Sequence, residues 1–148
     1  MKLLRTNAQN QDFIYLVKQL DQYLKIVDGE DHEFYNQYNG VGALKNVIIC
    51  YLDDQPVGCG AFKPYNENTV ELKRMFVLPE ARGKGIGGKI LIELENWASE
   101  LNFSKTILET GRRQIEAVAL YEKHKYSKIP NYGQYKEMEN SLCFEKVL

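Results

Sequence analysis

Arg82-Gly83-Lys84-Gly85-Ile86-Gly87-Gly88-Lys89 lies between a strand-like segment, 69–77, and a stretch where Ile86, Ile90, Leu94, Trp97 and Leu101 recur every three or four residues. That recurrence predicts a helix packing one face on a sheet. Glycines at this density let the backbone take positive φ and come close to a ligand without a Cβ in the way. A helix starting there aims unsatisfied N–H groups and its positive dipole end at the same spot. The loop is therefore built to hold an anion, most often a phosphate.

Three phosphate-binding patterns compete for it. Gly83 to Lys89 fits the nucleotide P-loop until Ile90 occupies the position of the Mg²⁺-binding hydroxyl, so nucleotide hydrolysis is disfavoured. Gly83, Gly85 and Gly88 also satisfy the dinucleotide fingerprint, with Glu109 where a ribose-binding carboxylate would stand. That fingerprint belongs in a tight turn directly after a strand, whereas Leu78-Pro79-Glu80-Ala81-Arg82 intervenes here. Too little chain follows to complete a doubly wound sheet.

The third pattern accounts for more residues. Val70-Glu71-Leu72-Lys73-Arg74-Met75-Phe76-Val77, then Leu78-Pro79-Glu80-Ala81, then Arg82-x-x-Gly85-x-Gly87, is followed by Gln114-x-x-Ala117-x-x-Leu120-Tyr121-Glu122-Lys123. The two motifs, in this order and spacing, resemble the acetyl-CoA signature of the GNAT N-acetyltransferases. The segment Ile129-Pro130-Asn131-Tyr132-Gly133-Gln134-Tyr135, with Ser141-x-Cys143-Phe144 after it, resembles the end of bacterial small-molecule members. Gln114 stands where the family has Asn, and Lys125 where it has Gly.

Working outward, residues 2–6 read as a short strand. Phe13, Leu16, Val17, Leu20, Leu24 and Val27 form one helical stripe. An acidic break, Asp28 to Glu33, leads into a Tyr-rich helix near 32–39. The run 47–52 is continuously apolar, as a strand covered on both faces would be, and Asp53-Asp54-Gln55 turns it into a returning strand, 56–63. After the strand 69–77 and the helix from the glycine loop come a strand at 104–109, a helix at 114–124, and strands near 126–129 and 141–147. The order β-α-α-β-β-β-α-β-α-β-β implies one α/β domain, 1–148, with a GNAT-like mixed β-sheet and helices on both faces.

The 148 residues allow a real core. A net charge of −1 offers no electrostatic reason to expect nucleic acid or acidic membrane as partner. The N-terminus has no signal-peptide core, and no apolar run approaches membrane-spanning length. Cys50, Cys59 and Cys143 fit no zinc or redox spacing and fall in strand-like segments, the pattern of buried thiols in a reducing cytoplasm. His32 and His124 lie in different elements without a third ligand, so no metal is expected. His124 reads as a helix-surface residue.

The resemblance implies a cytoplasmic transferase that moves acetyl from acetyl-CoA to a small-molecule or peptide amine by direct attack in a ternary complex. It assigns cosubstrate binding to Met75, Phe76, Val77, Arg82, Gly83, Lys84, Gly85, Ile86, Gly87, Gly88, Gln114 and Tyr121. Arg82 and Lys84 would add charge at the loop's rim. An N–H at or beside Met75 would stabilise the oxyanion. Tyr121 becomes the candidate general acid, against the plain alternative of a core tyrosine. Glu71 is the first choice of general base, Glu109 its competitor, and either could act through water. Tyr132 and Tyr135 line the acceptor pocket or pack over the sheet edge, and the acidic turn attracts a cationic amine or is solvated. A homodimer is a further expectation from relatives. The alternatives are a non-catalytic acetyl-CoA sensor and a dinucleotide-binding domain.

Overall fold

Asn10 caps the first long helix. Its side chain accepts hydrogen bonds from the N–H groups of Asp12 (2.8 Å) and Phe13 (3.2 Å), satisfying two donors that a helix start leaves orphaned. In the computed structural model, which describes residues 1–36 and 44–148, this helix, α1, spans Gln11–Asp28 and ends at Gly29 with φ 55°. The stripe from Phe13 to Leu24 is buried as its spacing predicts. The acidic stretch is a helical continuation rather than a break: a 3₁₀ turn at Gly29–Asp31 runs into α2, His32–Asn36. Residues 37–39 of the expected Tyr-rich helix lie outside the described residues.

The strands are β1 (Lys2–Thr6), β2 (Asn46–Leu52), β3 (Gln55–Pro64), β4 (Thr69–Val77), β5 (Lys105–Gly111), β6 (Ser127–Ile129) and β7 (Ser141–Val147), with α3 at Ile86–Glu100 and α4 at Ile115–Lys123. They form one mixed sheet in the order β1-β2-β3-β4-β5-β7-β6. All neighbours run antiparallel except β4 and β5, which are parallel. This is the expected α/β architecture. It leaves no doubly wound sheet for a dinucleotide.

Each face of the sheet carries its own apolar layer. Ile48, Phe62, Leu72 and Leu108 pack with Ile90 and Leu94 of α3 and Tyr121 of α4. Val47, Ile49, Ala61 and Phe76 pack on the other face with the α1 stripe. The continuously apolar β2 is thus covered on both sides. All three cysteines are buried and unpaired.

Two irregularities mark β4. The β3–β4 register pairs Cys59 with Phe76 but Ala61 with Lys73, so Arg74 and Met75 together oppose Gly60. That is a β-bulge, and Arg74 takes φ 59° to make it, a conformation costing a side-chain-bearing residue on the order of 1–2 kcal/mol. Gly60 is required opposite it: a Cβ there would lie 2.5 Å from Met75 Sδ and 2.9 Å from Ile90 Cγ2. The second irregularity is that β4 and β5 pair only at Thr69–Lys105, Val70–Thr106 and Glu71–Ile107. Beyond Glu71 the two strands separate.

Candidate active site

The gap between the parting strands opens a cavity of about 330 Å³. One end is the glycine loop. Gly83 and Gly85 hold φ 82° and 77°, and a Cβ on either would meet nothing within 4 Å. The glycines here serve backbone conformation and leave open space above the loop. Gly85 is the N-cap of α3 and offers no side-chain cap. The first helical bond runs from Lys89 N–H to the Gly85 carbonyl (3.1 Å), so the amides of Ile86, Gly87 and Gly88 precede the ladder at the positive end of the helix.

Gly87 and Gly88 have a different task. A Cβ at Gly87 would come within 3.3 Å of Leu120 Cδ2, and one at Gly88 within 2.8 Å of His124 Nε2. Both glycines let α3 and α4 approach closely. His124 is half-buried in that contact rather than lying on the helix surface as expected.

Arg82 does not stay at the rim. Its Nε donates to the Val77 carbonyl at 2.9 Å and its Nη1 to Glu116 Oε2 at 3.2 Å. The guanidinium lies over the rings of Tyr23 (5.3 Å) and Phe76 (5.9 Å). It ties α1, β4 and α4 together, while Lys84 is exposed.

Met75, Phe76, Val77, Gln114 and Tyr121 all line the cavity. Gln114 precedes α4 and lies against Gly111. Tyr121 projects from α4 between Tyr126 and Phe144, with ring centroids 5.7 and 6.3 Å away. Burial, then the charge of Glu109, pushes its phenol up from the ordinary value, so it keeps its proton across the neutral range. It is a core tyrosine and a cavity wall at once.

The two candidate bases part company. Glu71 does not line the cavity; it is buried, and its Oε2 accepts a hydrogen bond from Tyr132 at 2.6 Å. Lys63 and Lys73 stand 3.8 and 3.9 Å from its Oε1. Glu109 does line the cavity. Its Oε2 is enclosed and has no hydrogen-bond partner among the described residues. Burial pushes its carboxyl up to about 7, against the opposing pull of Ser141 and Lys73.

Of the aromatic pair at the chain's end, Tyr135 reaches the cavity and Tyr132 does not. Tyr132 instead packs edge-on against Tyr65 (5.5 Å) and Tyr135 (5.8 Å). Of the acidic turn, Asp28 reaches the cavity, and burial pushes its carboxyl up. Glu30 and Glu33 are exposed, and Asp31 accepts from Asn140 at 2.7 Å.

Sequence reasoning missed Lys73, Arg74 and Tyr35 of the cavity wall. For the first two there was a signal: two adjacent cations inside a strand that is otherwise buried. Tyr35 carried none, because its partner Ser141 (2.7 Å) is distant in the chain. Among the described residues no cluster of His, Cys, Asp and Glu suits a metal, and no helix is long and apolar enough to cross a membrane.

Comparison with known proteins converges on one family. Residues 12–126 match the sequence model of the acetyltransferase (GNAT) family. An IAA acetyltransferase from Azospirillum brasilense is 32% identical over 148 residues, covering 99% of this chain and 97% of that protein. N-acetyltransferase YjgM of Escherichia coli K12, itself uncharacterised, is 31% identical over 105 residues, 69% of this chain and 62% of its own. Among solved structures, a Klebsiella pneumoniae chain assigned to the acyl-CoA N-acyltransferases superposes with TM-score 0.82 at 25% identity, over 99% of this chain and 97% of its own. A GNAT family acetyltransferase from Elizabethkingia anophelis, with acetyl-CoA bound, gives 0.71 at 18% identity over 99% and 97%.

Proposed function

The chain belongs to the acetyltransferase (GNAT) family and is an acetyl-CoA-dependent acetyltransferase, and from that premise we propose that it acetylates a primary amine by direct attack in a ternary complex. The observation that carries the reading is the parting of β4 and β5 beyond Glu71 and Ile107. The resulting slot is lined by the glycine loop, Tyr121 and Glu109. Residues 1–148 act as one N-acetyltransferase domain.

The residues fit the cosubstrate in chemical terms. The loop amides and the start of α3 suit a pyrophosphate. The edge of β4 facing the gap has no ladder partner beyond Glu71, so it can hydrogen-bond an amide-bearing arm as an added strand would. Acetyl-CoA supplies an activated thioester carbonyl. Glu109 takes the proton that the acceptor ammonium must lose, directly or through water. An N–H at or beside Met75 faces the developing oxyanion. Tyr121 keeps a phenolic proton to donate toward the departing sulfur. Glu71, the first choice of base by the family resemblance, is engaged by Tyr132 and supplies a negative charge near Lys73 and Lys63.

Calorimetric titration with CoA, acetyl-CoA and NADH, followed by an amine panel, tests this. CoA binding with transfer to amines is the expected result. A folded protein that binds no CoA would overturn it. The wider reading includes a cytoplasmic setting, in keeping with three free buried thiols, and a dimer, checked by light scattering.

A further inference from the structure

The pleat of a strand sends neighbouring side chains to opposite faces. The bulge in β4 breaks that rule. Lys73 pairs with Ala61, whose side chain belongs to the α1 face. Arg74 is the extra residue, and its Nη2 donates to Asp21 Oδ1 of α1 at 2.8 Å. Lys73 and Arg74 therefore stand side by side on one face, and both line the cavity.

Their charge is incompletely answered. Arg74 has 4% of its side chain exposed, and its Nε and Nη1 are enclosed without a partner among the described residues. It provides a fixed positive field rather than a reachable donor. Lys73 keeps 11% of its side chain exposed. Its nearest carboxylate oxygen, Glu71 Oε1 at 3.9 Å, is beyond hydrogen-bond length and is shared with Lys63 at 3.8 Å. The other Glu71 oxygen is taken by Tyr132. Within 4 Å, Lys63, Lys73 and Arg74 meet only Glu71 and Asp21. Burial pulls the pKa of the Lys73 ammonium down while the charges of Glu71 and Glu109 hold it up, and it is the ammonium with unused donors at the cavity. Continuing the β4–β5 register past Glu71–Ile107 sets Lys73 across the gap from Glu109.

We infer that the acceptor is an aminocarboxylate whose carboxylate is bound by Lys73, within the field of Arg74, while its amine is directed at Glu109. The inference rests on the transferase reading above and narrows its acceptor to amines with a carboxylate a short spacer away. A carboxylate meeting an ammonium in a half-desolvated wall makes a charge-assisted hydrogen bond. An uncharged amide in its place leaves that ammonium unanswered, which is how a polar site rejects a near-isostere.

The test compares matched pairs, the common amino acids against their carboxamides, by kcat/KM at saturating acetyl-CoA. The carboxamide's amine is the less protonated of the two at neutral pH, so amine reactivity alone favours the carboxamide. We expect a preference of at least tenfold for a carboxylate member, and its collapse to near parity in Lys73→Met and Lys73→Gln. Acetyl-CoA titration and melting of both variants establish that they are folded. Carboxamides or carboxylate-free amines accepted as well as amino acids would overturn the inference and leave the transferase standing. A preference surviving in either folded Lys73 variant would also overturn it. No transfer to any amine would overturn the transferase reading, and this inference with it.

Discussion

The Tyr132 hydroxyl donates to Glu71 Oε2 at 2.6 Å, so the carboxylate that the sequence pattern favours as base is already held from the loop that follows β6. Glu109, across the gap, has an enclosed oxygen with no such partner among the described residues. Glu109→Gln should therefore lower kcat by about 100-fold, the usual scale of a lost general base. Tyr132→Phe and Glu71→Gln should cost far less in kcat and act mainly on acceptor KM. Steady-state kinetics of the three variants decide it; a Glu71→Gln loss as large as that of Glu109→Gln would return the base to Glu71.

Glu109 also sets a pH signature. With its carboxyl pushed up to about 7, kcat/KM for an acceptor amine of low pKa should rise as pH climbs through about 7. The Gln variant should lose that limb. Stability moves the other way. A carboxyl raised by burial favours the fold while protonated, and that contribution is lost as pH rises from the ordinary 4.5 through about 7. Glu109→Gln should thus melt higher than the parent at pH 8 and level with it near pH 4. The ceiling is roughly 3 kcal/mol for a shift of this size. A variant both slower and more stable identifies a group buried for use.

Tyr121 keeps its proton and lines the cavity. Tyr121→Phe should lower kcat more than tenfold with little change in KM for acetyl-CoA. The ring's packing on Tyr126 and Phe144 is retained by Phe, so melting should hardly move. An unchanged kcat removes Tyr121 from the chemistry.

At the phosphate end, Gly85→Glu places a side chain at φ 77° and a carboxylate over an anion site. CoA affinity, read by calorimetry, should fall at least tenfold, while thermal stability drops by only about 1 kcal/mol. Equal affinity would detach the loop from the cosubstrate.

Lys125 holds φ 70° just past α4, where the family has Gly. Lys125→Gly should raise stability by about 1 kcal/mol in chemical denaturation without touching kcat.

Local chemistry made much of this readable in advance. The α1 stripe, the Asp53–Asp54 turn (φ 49° and 64°), the glycine loop and the two motifs announce themselves within a few residues of one another. What stayed hidden depends on partners far apart in the chain. Nothing near Glu71 points to Tyr132, and nothing near Gly88 points to His124. Arg82 looked like a rim cation because its ties to Tyr23 and Glu116 come from other helices. The bulge is the instructive case. Lys73-Arg74 reads as alternation, and only the register against β3 turns both side chains the same way.

The three-pair seam between β4 and β5 reaches beyond catalysis to how long each molecule lasts. With so short a ladder, the two halves of the sheet are joined beyond it by side-chain packing alone, and an extended arm in the gap would add backbone hydrogen bonds to both. Occupancy at a hundred times Kd adds about 2.7 kcal/mol to the folded state, a large share of a small domain's margin. Susceptibility to a protease should then fall as CoA or acetyl-CoA rises, which pulse proteolysis with and without each measures. A cell with ample CoA, acetylated or free, would keep this protein longer than one depleted of it.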